Sequence, residues 1–114
     1  MSADPISVSE GGDALVVLIT VASREEAERI ARRLVEDRLA ACVNIVPQVR
    51  SLFIWQGKFS QEDELLLVAK SRRARFQELT TAVKQLHSYS VPEIIALPIL
   101  AGSADYLGWV AEST

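Results

Sequence analysis

The sequence predicts an α+β domain: a ferredoxin-like β-α-β-β-α-β sandwich with an extra C-terminal helix. Three observations carry this. The segments Ala14–Val21 and Leu65–Ala69 are unbroken apolar runs, as central strands are. Two further strand-like segments contain proline, at Pro47 and Pro98. Proline cannot donate to a strand ladder, so those segments belong at sheet edges. Two stretches with helical spacing of apolar residues separate the strands. Central first and third strands flanked by outer second and fourth strands is the ferredoxin-like arrangement.

Each element follows in order. Residues 1–13 include Asp4, Glu10, Gly11-Gly12 and Asp13, and lack the basic start and apolar stretch of a signal peptide. They read as a flexible tail, and residues 14–114 as a single domain. The first strand, ALVVLITV, is rich in β-branched residues, and its two apolar faces call for cover above and below. Ser23, with Glu26 three residues on, forms a capping box that starts a helix. Ala27, Ile30, Ala31, Leu34 and Val35 make its inner stripe. The segment ACVNIVPQVRSLFIWQG then turns at Gln56-Gly57 and returns as KFSQEDELLLVAK, a hairpin. Ser71 is the expected start of the second helix, with Phe76, Leu79, Val83 and Leu86 inward. The fourth strand is expected over Val91–Leu100, and Ser103 is the expected N-cap of the last helix.

Composition removes several function classes. The chain has 114 residues, 49% of them hydrophobic, and a net charge of −3. A slightly acidic domain is a poor nucleic-acid binder. No segment is a membrane span, so no membrane partner is expected. One cysteine and one histidine exclude a disulfide framework, a four-cysteine zinc site and H-E-x-x-H chemistry within one chain. A lone thiol and no export signal make the cytoplasm the expected compartment.

The hairpin conflicts with a monomer. Asn44 to Gln56 spans roughly 40 Å when extended. A domain of this size has a radius of gyration of only about 13 Å. The overhang would carry Leu52, Phe53, Ile54, Trp55 and Phe59, an aggregation hazard unless another subunit covers it.

Candidate chemistry is sparse. Cys42 lies among Ala40, Ala41 and Val43 and reads as a buried small hydrophobe. His87 sits at a helix end, where it either complements the helix dipole or offers the best single metal ligand of the chain. The acidic run Glu62-Asp63-Glu64 reads either as a cation attractor or as a solvated strand edge. Lys70 closes the third strand, where it either meets an anion or snorkels to the surface. Tyr89 and Glu93 flank Val91-Pro92 in a rigid loop. No Gly-rich phosphate loop exists.

Three segments together, LAACVNIVP, WQGKFSQEDELLLVAKS and HSYSVPEIIALPILAGSADYLGW, resemble the CutA family of divalent-cation tolerance proteins. The likeness runs from about Val16 to Trp109. It implies a ferredoxin-like subunit in a homotrimer whose hairpins pair across subunits, an architecture shared with the PII signalling proteins. It also implies a cytoplasmic, non-enzymatic protein of copper and divalent-metal tolerance, with no defined reaction. Cys42 and Asn44 match the family's A-C-x-N strand, Trp55, Gly57 and Glu64 its hairpin signature, and Lys70 its strand lysine. His87, Tyr89, Pro92 and Glu93 match H-P-Y-x-x-P-E, with Ser88 in place of the first proline. The copper ligands ascribed to some members are a first-strand cysteine and two adjacent histidines. Here Ile19 and Leu86 stand at two of those places, leaving His87 alone. One imidazole makes a weak copper site.

These readings converge on a trimeric, non-enzymatic metal-tolerance protein. It requires no cofactor, binds copper or another divalent cation weakly at His87, and has a ligand pocket near Lys70, Tyr89, Glu93 and Trp55. The alternative is a PII-like module that responds to a small anionic ligand held by Lys70 and nearby helix N-termini. An acylphosphatase-like enzyme would need glycines around an arginine after the first strand, and Arg24 stands there without them.

Overall fold

Apolar strands and striped helices sort into one antiparallel sheet with two helices on a single face. The structure is a computed structural model and describes residues 7–114. In chain order its elements are β1 (Val8–Glu10), β2 (Ala14–Val21), α1 (Arg24–Glu36), β3 (Cys42–Trp55), β4 (Lys58–Arg72), α2 (Phe76–Leu86), β5 (Ile94–Pro98), β6 (Ala101–Ser103) and α3 (Ala104–Glu112). The main sheet has the order β3-β4-β2-β5. The unbroken apolar strands β2 and β4 are central and the proline-bearing strands β3 and β5 are outer, as a missing ladder donor requires. This is the ferredoxin-like layout expected from the sequence.

Strand alternation divides the sheet into two unlike faces. Val17, Ile19 and Val21 of β2 and Leu67 and Ala69 of β4 are fully buried against Ile30 and Leu34 of α1 and Leu79 and Val83 of α2. The opposite face carries Val16, Leu18, Leu66 and Val68, extended by Val46, Ile95 and Leu97. Ile95 and Leu97 are 50% and 51% exposed. The cover above and below that β2 calls for is therefore present on one side only.

Four local expectations need correction or adjustment. Residues 1–6 lie outside the described residues, but Val8–Glu10 is not loose tail. It pairs antiparallel with β6, and the Gly11 N–H donates to the Leu100 carbonyl at 3.0 Å. A Cβ on Gly11 would sit 1.6 Å from the Ile99 carbonyl oxygen, so only glycine permits this approach. Ser71 does not start a helix. It is buried in β4 and its hydroxyl donates to the Leu39 carbonyl at 2.6 Å, while a short 3₁₀ turn over Arg73–Arg75 leads into α2. The fourth strand is shorter than expected, because the chain leaves the ladder after Pro98 and re-pairs as β6 with β1. Cys42 is half-buried rather than a core thiol, because it belongs to the face that α1 and α2 do not cover. Ser23 and Ser103 cap α1 and α3 as expected, accepting from the Glu26 and Tyr106 N–H groups at 3.2 Å.

The hairpin overhangs. The described residues extend 56 × 24 × 22 Å and have a radius of gyration of 15.5 Å. Gln56 (φ 52°) and Gly57 (φ 79°) form the two-residue turn, the primed geometry that suits strand twist. A bulge interrupts the ladder between Val46 and Val49, with Gln48 at φ 65°. Pairing resumes beyond it and runs to Trp55↔Lys58, so the arm stays extended.

Candidate functional site

The bulge determines which side chains of the hairpin face the body. Before it, Val46 opposes Leu66; after it, Val49 opposes Glu64. The extra residue reverses the alternation of β3. Ser51, Phe53 and Trp55 therefore share a face with Ser60, Glu62 and Glu64. This face, Thr20 at the end of β2 with Ala22 just beyond it, and the loop from Tyr89 to Glu93 enclose a groove of about 720 Å³.

A buried hydrogen-bond network fixes that loop. The His87 ring is fully buried. Its Nε2 donates to the Thr20 carbonyl at 2.8 Å, and its Nδ1 accepts from the Tyr89 N–H at 3.0 Å. Glu26, 3% exposed, accepts from the Ser88 N–H at 2.6 Å, the Ser88 hydroxyl at 3.2 Å and the Ala22 N–H at 3.2 Å. Burial alone would raise the Glu26 carboxyl. The bonds from Ser88 and Ala22 outweigh it and hold the group below its ordinary value.

So held, Tyr89 points its hydroxyl at Glu64 and donates to it at 2.8 Å. Glu64 is 6% exposed. Burial, then the hydrogen bond and charge of Glu64, raise the Tyr89 hydroxyl well above its ordinary value. Glu62 and Glu93 complete the acidic lining, and no Lys or Arg among the described residues lines the groove.

Of the residues nominated from sequence, Trp55, Tyr89 and Glu93 line this groove and Lys70 does not. Lys70 lies six residues from Glu64 along β4, roughly 20 Å away, and donates to the Asn44 side chain beside Cys42. Tyr106 of α3 also reaches Cys42; burial and this neighbour raise the Tyr106 hydroxyl. Sequence reasoning missed Glu26 as a loop anchor, although the capping box had named it. It left Glu64 within a surface acidic run, and only the pairing register shows it inside.

The donor set does not fit a transition-metal centre within one chain. Both nitrogens of the only histidine are engaged by Thr20 and Tyr89, which differs from a ring free to ligate. No three His, Cys, Asp or Glu side chains come together to hold an ion among the described residues.

Comparison with known proteins bears on the family and the fold. The family described as CutA1 divalent ion tolerance protein matches residues 15–113. The divalent-cation tolerance protein CutA of Thermus thermophilus is 54% identical over 99 residues, 87% of this chain and 96% of that protein. The protein CutA, chloroplastic, of Arabidopsis thaliana is 46% identical over 100 residues, 88% of this chain and 55% of that longer protein. The solved structure of the periplasmic divalent cation tolerance protein CutA from Archaeoglobus fulgidus superposes with a TM-score of 0.85 at 45% identity, covering 88% of this chain and 97% of that one. The cytoplasmic expectation is overturned here, because relatives this similar are described as periplasmic and chloroplastic. No helix among the described residues is long and apolar enough to cross a membrane. By family, fold and motif, this chain belongs to the CutA1 divalent ion tolerance proteins.

Proposed function

We propose that the chain is a non-enzymatic binding subunit of divalent-metal tolerance, copper included, working as a homotrimer with a ligand groove at each hairpin root. The uncovered apolar face of the sheet is the observation that carries the assembly. Leu18, Leu66, Ile95 and Leu97 would face water in a monomer, beside a hairpin whose Leu52, Ile54 and Phe59 are also exposed. A second copy is the occupant that suits both. The hairpin tip and the sheet face are different patches, so their contact is heterologous and closes as a ring. The family resemblance supplies the number three. A non-enzymatic role is supported by the way His87 is used: its ring holds a loop and serves no nucleophile.

Light scattering coupled to gel filtration tests this. The expected mass is three times 12.5 kDa. Ile95→Asp, half-exposed in the single chain, should break the trimer while leaving the subunit folded. A wild-type monomer at micromolar concentration, or a trimer unaffected by Ile95→Asp, would refute the arrangement.

The groove speaks against the signalling alternative, in which Lys70 would hold a small anionic ligand. Its acidic lining opposes an anion, and Lys70 is elsewhere.

A further inference from the structure

Among the described residues, 88–93 make no backbone-to-backbone hydrogen bond. Side chains hold this loop instead. The Tyr89 N–H donates to His87 Nδ1 at 3.0 Å, and the Ser88 N–H and hydroxyl donate to Glu26. The Tyr89 hydroxyl then reaches Glu64 at 2.8 Å. The loop is one wall of the groove, and its attachment depends on the protonation of buried groups.

The contacts of the His87 ring fix where its proton sits. Nε2 carries it, because its neighbour at 2.8 Å is the Thr20 carbonyl, an acceptor only. Nδ1 is bare, because its neighbour is an N–H. That use of both nitrogens leaves no lone pair for a metal. A second proton would sit on Nδ1 and face the Tyr89 N–H, donor against donor. One other outlet exists, since Oε1 of Glu26 lies 3.8 Å from Nδ1. The titratable groups facing the ring are Glu26 from α1 and Tyr89 from the loop, with Glu64 of β4 behind Tyr89. From β2 comes only the uncharged Thr20 carbonyl. Burial of Glu26 is outweighed by its bonds from Ser88 and Ala22, so it stays charged in mild acid. It has no lysine or arginine partner among the described residues. An imidazolium would be its counter-charge and would be drawn toward it.

We propose that His87 is a proton-operated latch on this loop. A proton on Nδ1 turns that atom from the Tyr89 N–H to Glu26 and frees residues 88–93, so the loop wall of the groove opens in mild acid. The latch is closed where the ring is neutral, and it opens as pH falls through the range in which an imidazole gains its proton. It lies within one subunit and rests neither on the assembly nor on what fills the groove.

Amide hydrogen exchange and nitrogen spectra of the histidine ring, recorded on the full chain between about pH 8 and about pH 5, test this. At the alkaline end Nδ1 should give the signal of an unprotonated nitrogen, and the Tyr89 amide should be protected. An opening that takes up one proton grows about tenfold per pH unit while the open ring is protonated and the latched one is not. After correction for the intrinsic effect of pH, Tyr89 exchange should therefore accelerate about tenfold per unit in that window. The Ile19 amide, in the buried core of β2, should not follow. His87→Gln has no proton to gain and should abolish the acceleration. If that variant does not fold, the wild type still decides, because ring and Tyr89 amide must change with one midpoint. A ring that stays neutral to the acid end would overturn the proposal, as would Tyr89 exchange that is flat while the ring titrates. Ile19 opening together with Tyr89, or acceleration that persists in His87→Gln, would overturn it too.

Discussion

Replacing Tyr89 with phenylalanine removes one oxygen and keeps the ring. In the wild type that hydroxyl donates to Glu64 at 2.8 Å, and Glu64 is 6% exposed. A hydrogen bond to a charged acceptor contributes about 1.5–3 kcal/mol, and stranding a buried acceptor costs its desolvation. Tyr89→Phe should therefore lose about 2 kcal/mol, close to a thirtyfold change in the folded-to-unfolded ratio. Urea unfolding at fixed protomer concentration measures it, since the stability of an assembly depends on concentration. Glu64→Gln in the Tyr89→Phe background should recover part of the loss, because removing the charge removes what was stranded. The pH dependence has a definite sign. The folded-state pKa of Tyr89 is raised above the ordinary 10.0, so its contribution is present below pH 10 and fades as pH climbs through the raised value. The gap between wild type and Tyr89→Phe should narrow in strong alkali. A loss below about 0.5 kcal/mol, or a Glu64→Gln change that simply adds to it, would show that the bond is not holding the loop.

Two other outcomes follow from the same network. Glu26 is held below its ordinary 4.5, so its contribution is present above that value and fades as pH falls through the lowered one. Glu26→Gln should destabilise at pH 7 by about 2 kcal/mol, because its NH2 replaces one of the two oxygens that accept from Ser88 and Ala22, and the difference should shrink as pH falls below 4.5; a gap that does not change with pH contradicts the carboxylate's role. His87→Ala should lower the urea midpoint by freeing the loop from Thr20, and should leave the copper stoichiometry in calorimetry unchanged; loss of a copper site in that variant would restore His87 as a ligand.

Much of the fold was legible because its signals are local. Two apolar runs and two prolines ordered four strands, and Ser23 and Ser103 marked two helix starts. The misread parts depend on partners distant in sequence. Ser71 looks like a helix cap until the Leu39 carbonyl is placed beside it. Gly11-Gly12 looks like a linker, yet Gly11 is small because Ile99 approaches it. In the groove, Trp55, Tyr89 and Glu93 were found by motif, but Lys70 was grouped with them though β4 carries it far away. His87 reads as a ligand by residue type. Its two ring nitrogens are spent on Thr20 and Tyr89, and only three-dimensional contacts show that.

One inserted residue decides the chemistry of the groove. Were the pairing of Val46 with Leu66 continued without interruption, Gln48 would oppose Glu64 and Arg50 would oppose Glu62. Arg50 would then lie among the carboxylates and neutralise them, and Phe53 and Trp55 would point to the opposite side. The bulge at Pro47 and Gln48 prevents this. Pro47 has no N–H to give the ladder, and Gln48 adopts φ 65° to absorb the extra length. Beyond it Arg50 opposes Asp63, within 4.0 Å on the other face, and Glu62 and Glu64 face Ser51 and Val49 across the ladder, with Phe53 and Trp55 farther along the same face. The acidity of the groove and the aromatic side chains along it therefore share one backbone cause. Deleting Gln48 would exchange both at once.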